Sequence, residues 1–206
     1  MVGMRKAGAL ALFLPFAVPA TAQPPEGRPV PPFSLPTLDG GTVSVKVQRG
    51  KGTKKSSLVV LLRKKERGKW VERRLKAKAL LVIHWASWSP LSLRLLRRFA
   101  PMCEKFAKRG LVVVAINLFA AEGERKVGKL TKGMPYIVAL DVVGLTTRSY
   151  RVSEVPVTTL VDARGIVRLT RTKCYPGILD EFRKRLSDLL GPSPKASSLR
   201  SSSCSQ

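Results

Sequence analysis

An α/β fold built on a mixed central β-sheet is what the chain predicts, and three features carry that reading. Two fully apolar runs, "ALLVIHW" at 79–85 and "LVVVAINL" at 111–118, have the length of strands buried on both faces. Between them, Leu95, Leu96, Phe99, Met102, Cys103 and Phe106 recur at three- and four-residue steps, which marks one buried face of a helix. Later, "VPVTTLVDARGIVRLTRT" reads as a β-hairpin, and an amphipathic helix over 178–190 follows it. Strand, helix, strand, helix, hairpin and terminal helix is the order of a mixed sheet flanked by helices. With 206 residues the chain has room for one domain with a sizeable core.

The elements follow in order. Residues 1–22 are set aside as a signal peptide. Arg5 and Lys6 precede the apolar run Ala7 to Val18, and Ala20-Thr21-Ala22 offers the small-residue pattern of a cleavage site near Gln23. The run is short for a membrane span of about 20 residues, so the expected destination is export to a bacterial periplasm or the outside. Residues 23–32 are Pro-rich and predict an extended arm. "FSLPTLDGGTVSVKV" places two alternating runs around Asp39-Gly40-Gly41, a lead-in hairpin. "LVVLL" at 58–62 and "WVERRL" at 70–75 flank the turn-like "RKKERGK" and predict a second hairpin.

Past the strand at 111–118, Ala120 to Lys132 is helix-competent and Pro135 to Val143 is apolar. A short element leads through Tyr150. The later hairpin turns at Asp162 to Gly165. Residues 191–206 are Ser-rich and read as a disordered tail, so the domain is expected to span 33–190.

Charge sets this chain apart. The formal net charge is +25, and residues 46–78 hold 14 Lys or Arg against Glu66 and Glu72. This basic insertion presents Arg63, Lys64, Lys65, Arg67, Lys69, Arg73 and Arg74 as candidate contacts for an anionic surface. In an exported protein the partners expected are anionic envelope polymers, lipid headgroups or an acidic protein, and no nucleic acid. A solvated basic loop without a specific partner is the plainer alternative.

Cysteine and histidine counts exclude much else. Cys103, Cys174 and Cys204 form no close pair, so neither a disulfide framework nor a Cys-x-x-Cys metal site is present. His84 is the single histidine. Neither metal nor cofactor is expected.

The segment "LLVIHWASWSPLSLRLLRRFAPMCEKFAKRGLVVVAINL" resembles the active-site segment of the TlpA-like branch of the thioredoxin superfamily, a branch related to the redoxin and AhpC/TSA proteins. There a strand ending in Phe-Trp-Ala-x-Trp runs into Cys-Pro-x-Cys at a helix start. "PPFSLPTLDGGTVSV" is similar to the family's lead-in hairpin, and "VPVTTLVDARGIV" to its cis-proline loop and closing hairpin. The resemblance covers most of Phe33 to Leu190. It implies a thioredoxin-like fold and thiol-disulfide oxidoreductase activity.

By the same resemblance, Ser89 stands at the attacking cysteine's position and Ser92 at the resolving one. A serine hydroxyl has no accessible anion near neutrality and no two-electron redox chemistry, so dithiol exchange through these positions is excluded. A helix N-cap suits Ser89, with Pro90 at the first helical position. A Ser89/His84 hydrolase pair is the enzymatic alternative, and a satisfied core histidine the structural one. Arg97 stands where the family often has a helix proline, and Pro101 follows one turn later.

Cys103, on the apolar helix face, reads as an inert buried thiol, and Cys174, in "TKCYPG", as an exposed and somewhat activated one. The two are expected to lie apart. Cys204 offers an intermolecular bridge. The resemblance leaves the binding half of the site: a cis Val155-Pro156 bond that offers backbone to an extended peptide or protein partner, with Trp88 as an apolar wall.

Three functions follow as alternatives. One is a non-catalytic binding or scaffold module with a degenerate redox motif. The second is a thiol or peroxide-reducing activity through Cys174. The third is a basic module that binds envelope components.

Overall fold

The structure, a computed structural model, describes residues 23–50, 55–118 and 123–191. The signal segment, residues 51–54 of the basic stretch, residues 119–122, of which 120–122 open the stretch read as helix-competent, and the tail from 192 with Cys204 lie outside it. Five strands form the central sheet: β5 (Ala79–Trp85), β6 (Leu111–Leu118), β7 (Ile137–Asp141), β8 (Val157–Asp162) and β9 (Val167–Thr172). Their order is β7-β6-β5-β8-β9, with β5, β6 and β7 parallel and β8 antiparallel to both β5 and β9. All seven residues of β5 are buried, as its unbroken apolar run requires of a central strand covered on both faces.

Strand alternation divides the core. Ala79, Leu81, Ile83 and Trp85 face helices α1 (Pro90–Ala107) and α4 (Ile178–Leu190). Phe99 and Phe182 meet there edge-on, with ring centroids 5.4 Å apart. Leu80 and Val82 face the other way. That second face is covered chiefly by a four-stranded antiparallel sheet: β1 (Phe33–Pro36), β2 (Thr42–Gln48), β3 (Ser57–Glu66) and β4 (Lys69–Leu75), in that order. Phe33, Leu35, Val43, Val45, Leu58 and Val60 form its inner side. The two sheets lock where Val47 meets the β8–β9 turn. Gly165 there has φ +81°, and a Cβ on it would lie 2.4 Å from Val47 Cγ2.

The basic stretch is therefore no inserted loop. β3 pairs with β2 from Ser57 to Arg63 and with β4 from Val60 to Glu66. The expected second hairpin exists, but "RKKE" continues the strand and only Arg67-Gly68 turns, both at positive φ (46° and 81°). A two-residue turn of this kind matches the strand twist. Charges extend the ladder past the core because opposite signs face each other, Arg63 with Glu72 and Glu66 with Lys69.

The shorter elements are α2 (Glu124–Thr131) and α3 (Leu145–Ser149). The Pro-rich arm lies along the β9 edge. Gly27 N donates to Val167 O at 2.8 Å and Val30 N to Gly165 O at 2.8 Å. Tyr150 Oη, from beneath, donates to Pro31 O at 3.0 Å. An otherwise open sheet edge is thereby covered.

Candidate functional site

Parallel β5 and β7 and antiparallel β8 bring one set of loops to one end of the central sheet. Because His84 pairs with Val157, the loop after β5 and the loop before β8 emerge side by side. The first carries Trp88, Ser89 and Pro90, the second Val155 and Pro156. The Val155–Pro156 peptide bond is cis, as expected. Lys173 N donates to Pro156 O at 2.9 Å, so Cys174 follows directly on the residue bonded to that proline. Cys174 is half-buried against the helix-side core rather than exposed, because the chain turns inward there to start α4.

Ser89 caps α1. Its backbone is extended (φ −93°, ψ 109°), and its Oγ accepts the Ser92 amide at 3.2 Å. Pro90 occupies the first helical turn, where an amide proton has no helical partner to lose. Ser89 is buried, and its hydroxyl is committed to the helix end. Ser92 is fully buried, and its hydroxyl finds no partner among the described residues. Pro101 sits inside α1 and removes the amide that would otherwise bond Arg97 O.

The hydrolase alternative is overturned by strand alternation. His84 faces the second core, its ring 4.8 Å from that of Tyr150, whereas Ser89 caps a helix on the opposite face of the sheet. Burial pushes His84 down to about 3, against the opposing pull of the Asp141 charge, so it is neutral near pH 7. Cys103 is the inert thiol expected: burial pushes it up to about 12.

Sequence reasoning missed a set of exposed apolar side chains at this same end. Trp88 is 58% exposed, and Leu91 beside it is exposed too. Val142 (65%), Val143 (71%) and Leu145 project where β7 ends. Of the apolar segment from Pro135 to Val143, only Ile137–Asp141 is strand, and the Asp141 carboxylate turns the chain there. Asp141 Oδ1 accepts the Leu145 amide at 2.7 Å, and Oδ2 accepts the Thr146 and Thr147 amides at 2.9 and 3.0 Å. The Thr146 hydroxyl adds a bond of 2.6 Å. Burial works against ionisation, yet these donors hold the Asp141 carboxyl below the usual carboxylate range. The signal in the sequence was Asp-x-x-Gly-x-Thr, a capping residue four positions before a short helix.

Asp141→Ala is expected to lower stability by about 2 kcal/mol, since it strips the α3 start of its acceptor and leaves buried amides unpaired. Urea unfolding at pH 7 reads this. An unchanged midpoint would contradict the assigned role.

The predicted basic contacts lie elsewhere, on β3, β4 and their turn, and the ladder does not gather them on one face. Arg63, Lys65 and Arg74 share the outer face. Lys64, Lys69 and Arg73 alternate to the other, where Lys64 pairs with Asp39 and Arg73 with Glu66 at 2.6 Å. Arg67 is in the turn. Among the described residues no three His, Cys, Asp or Glu side chains gather as metal ligands.

A cis-proline loop beside a strand-to-helix junction, on a mixed sheet of this order, defines a thioredoxin-like protein. The chain belongs to the AhpC/TSA family, whose profile matches residues 57–170. That span begins at β3, so the basic strands fall within it. No curated protein matches the sequence.

Solved structures share the fold. StoA from Bacillus subtilis is 15% identical over 77% of this chain and 97% of its own, with a TM-score of 0.50. The thioredoxin domain of a thiol-disulfide oxidoreductase from Bacteroides vulgatus is 13% identical over 81% and 99%, with a TM-score of 0.55. A protein from Chlorobium tepidum assigned as the thiol:disulfide interchange protein DsbE is 23% identical over 81% and 99%, with a TM-score of 0.57.

Proposed function

We propose that this is an exported thioredoxin-like protein that binds an extended segment of a partner protein without dithiol exchange. One observation carries the reading: the hydroxyl at the cap of α1 is spent on the helix end, while large apolar side chains stand exposed at the end of the sheet that carries the cis-proline. Trp88, Leu91, Val142, Val143 and Leu145 expose more large apolar surface at this end than any other described part of the chain. Such a concentration marks an interaction surface. Export rests on the basic, apolar and small-residue pattern of residues 1–22. Val155 offers backbone for edge pairing beside the cis-proline.

A second reading is favoured by the position of Cys174. A half-buried thiol one residue from the Pro156 contact is placed to attack a partner's disulfide, bonding to one of its sulfurs and releasing the other as a thiolate. Capture from envelope extract separates the two. Wild-type protein blocked with N-ethylmaleimide should retain the same partner as unblocked protein, and Trp88→Ser/Val143→Ser should lose it. Capture that disappears on blocking would favour Cys174. Capture indifferent to the double substitution would sink the apolar site.

A further inference from the structure

We propose that the outer face of the β1–β4 sheet docks this protein onto an anionic lipid bilayer. The ladder register puts Lys46 of β2, Arg63 and Lys65 of β3, and Arg74 and Trp70 of β4 on the side facing away from the core. All five are exposed. Glu72 is the one acidic residue among the described residues of that face. A cationic surface of this kind is complementary to an anionic one, and a chain of net charge +25 is drawn to it before contact.

Trp70 decides for a bilayer over a soluble polyanion. Its ring is 52% exposed, and the Arg63 guanidinium lies 4.9 Å from the ring centroid. An indole held beside cations, with one side apolar and one edge able to donate, is suited to the headgroup level. On the opposite face Lys64 pairs with Asp39 and Arg73 with Glu66, whereas on the outer face the single carboxylate of Glu72, across from Arg63, stands against four cations, so positive charge is in excess there. Residues 46–78 read only as a run of charge do not show this division.

The test uses the full chain and vesicles of phosphatidylglycerol and phosphatidylcholine in co-sedimentation. Arg63→Gln/Lys65→Gln/Arg74→Gln is compared with Lys64→Gln/Lys69→Gln/Arg73→Gln, which removes the same net charge from the opposite face. Each cation at a membrane surface is worth about fivefold in partitioning, so the outer-face triple should bind roughly a hundredfold more weakly than wild type. The opposite-face triple should stay much closer to wild type.

Iodide quenching of Trp70 in a Trp88→Phe background, where Trp85 is buried, should fall when vesicles are added. Equal losses in the two triples would overturn the proposal by showing a diffuse charge effect. So would unchanged quenching of Trp70, or binding of soluble polyphosphate with none to vesicles.

Discussion

Ser89→Cys/Ser92→Cys is expected to reduce insulin disulfides in the presence of dithiothreitol at a rate the wild-type chain does not approach. The frame for that chemistry is in place. A side chain at position 89 sits over the first turn of an 18-residue helix, within 3.2 Å of the amide of residue 92. Unpaired amides and the positive end of the helix dipole stabilise a thiolate there. Position 92 lies one turn on, at a separation a disulfide spans. The introduced thiolate would attack the insulin disulfide, and the second thiol would then displace the bound sulfur, leaving the site oxidised for dithiothreitol to reset.

The stability terms nearly cancel. Losing the Ser89 cap costs about 1 kcal/mol, while a thiol at position 92 relieves a buried, unpartnered hydroxyl worth about 1 to 3 kcal/mol. A folded double variant at least about tenfold faster than the dithiothreitol blank is the expected result. A folded variant with no gain would mean that the site has lost more than its thiols.

His84→Phe should raise stability at pH 7 and flatten its dependence on pH. His84 is fully buried, and among the described residues neither ring nitrogen has a hydrogen-bond partner, a burden of about 1 to 3 kcal/mol. Its folded value of about 3 lies far below the ordinary 6.5. The unfolded chain therefore takes up a proton that the folded one refuses. The stability this group supports is intact above pH 6.5 and is lost as pH falls toward 3, at about 1.4 kcal/mol per pH unit.

Asp141 and Asp162 act with the same sign in a lower window. Burial opposes their ionisation, yet hydrogen bonds from α3 to Asp141, and from the β8–β9 turn amides and Arg168 to Asp162, hold both below 3.8, so their contribution fades only below about pH 4. Glu181, which burial opposes but the Tyr175 and Arg171 bonds hold below 4.5, joins them near that value, so between about pH 6.5 and 5 the slope belongs to His84. Urea unfolding across that range should show a steep fall for wild type and a shallow one for His84→Phe. Parallel curves would contradict a buried neutral histidine.

What was legible in the sequence is what local periodicity encodes. β5, β6 and the buried face of α1 follow from unbroken and three-four spaced apolar residues, and the Ser89-Pro90 helix start from capping chemistry. The cis bond at Val155–Pro156 came through family resemblance. The β3 extension was hidden because "RKKE" has no apolar alternation. Its pairing with "KWVE" is set by opposite charges across the ladder, which single-strand reading cannot see.

The exposed apolar residues past β7 were hidden for the converse reason. Val142 and Val143 look like the end of a strand, and only the bonds from Asp141 to residues 145–147 show the chain turning before them. The split of basic residues between two faces depends on register with β2 and β4, which is a property of the folded sheet.

The central claim is that the fold retains a partner-binding end without a redox dyad. Insulin reduction by the wild-type chain, measured beside Cys174→Ala, tests it most directly. Turnover at the dithiothreitol blank is expected for both proteins. Wild-type turnover above the blank that vanishes in Cys174→Ala would contradict it and assign the chemistry to the thiol beside Pro156.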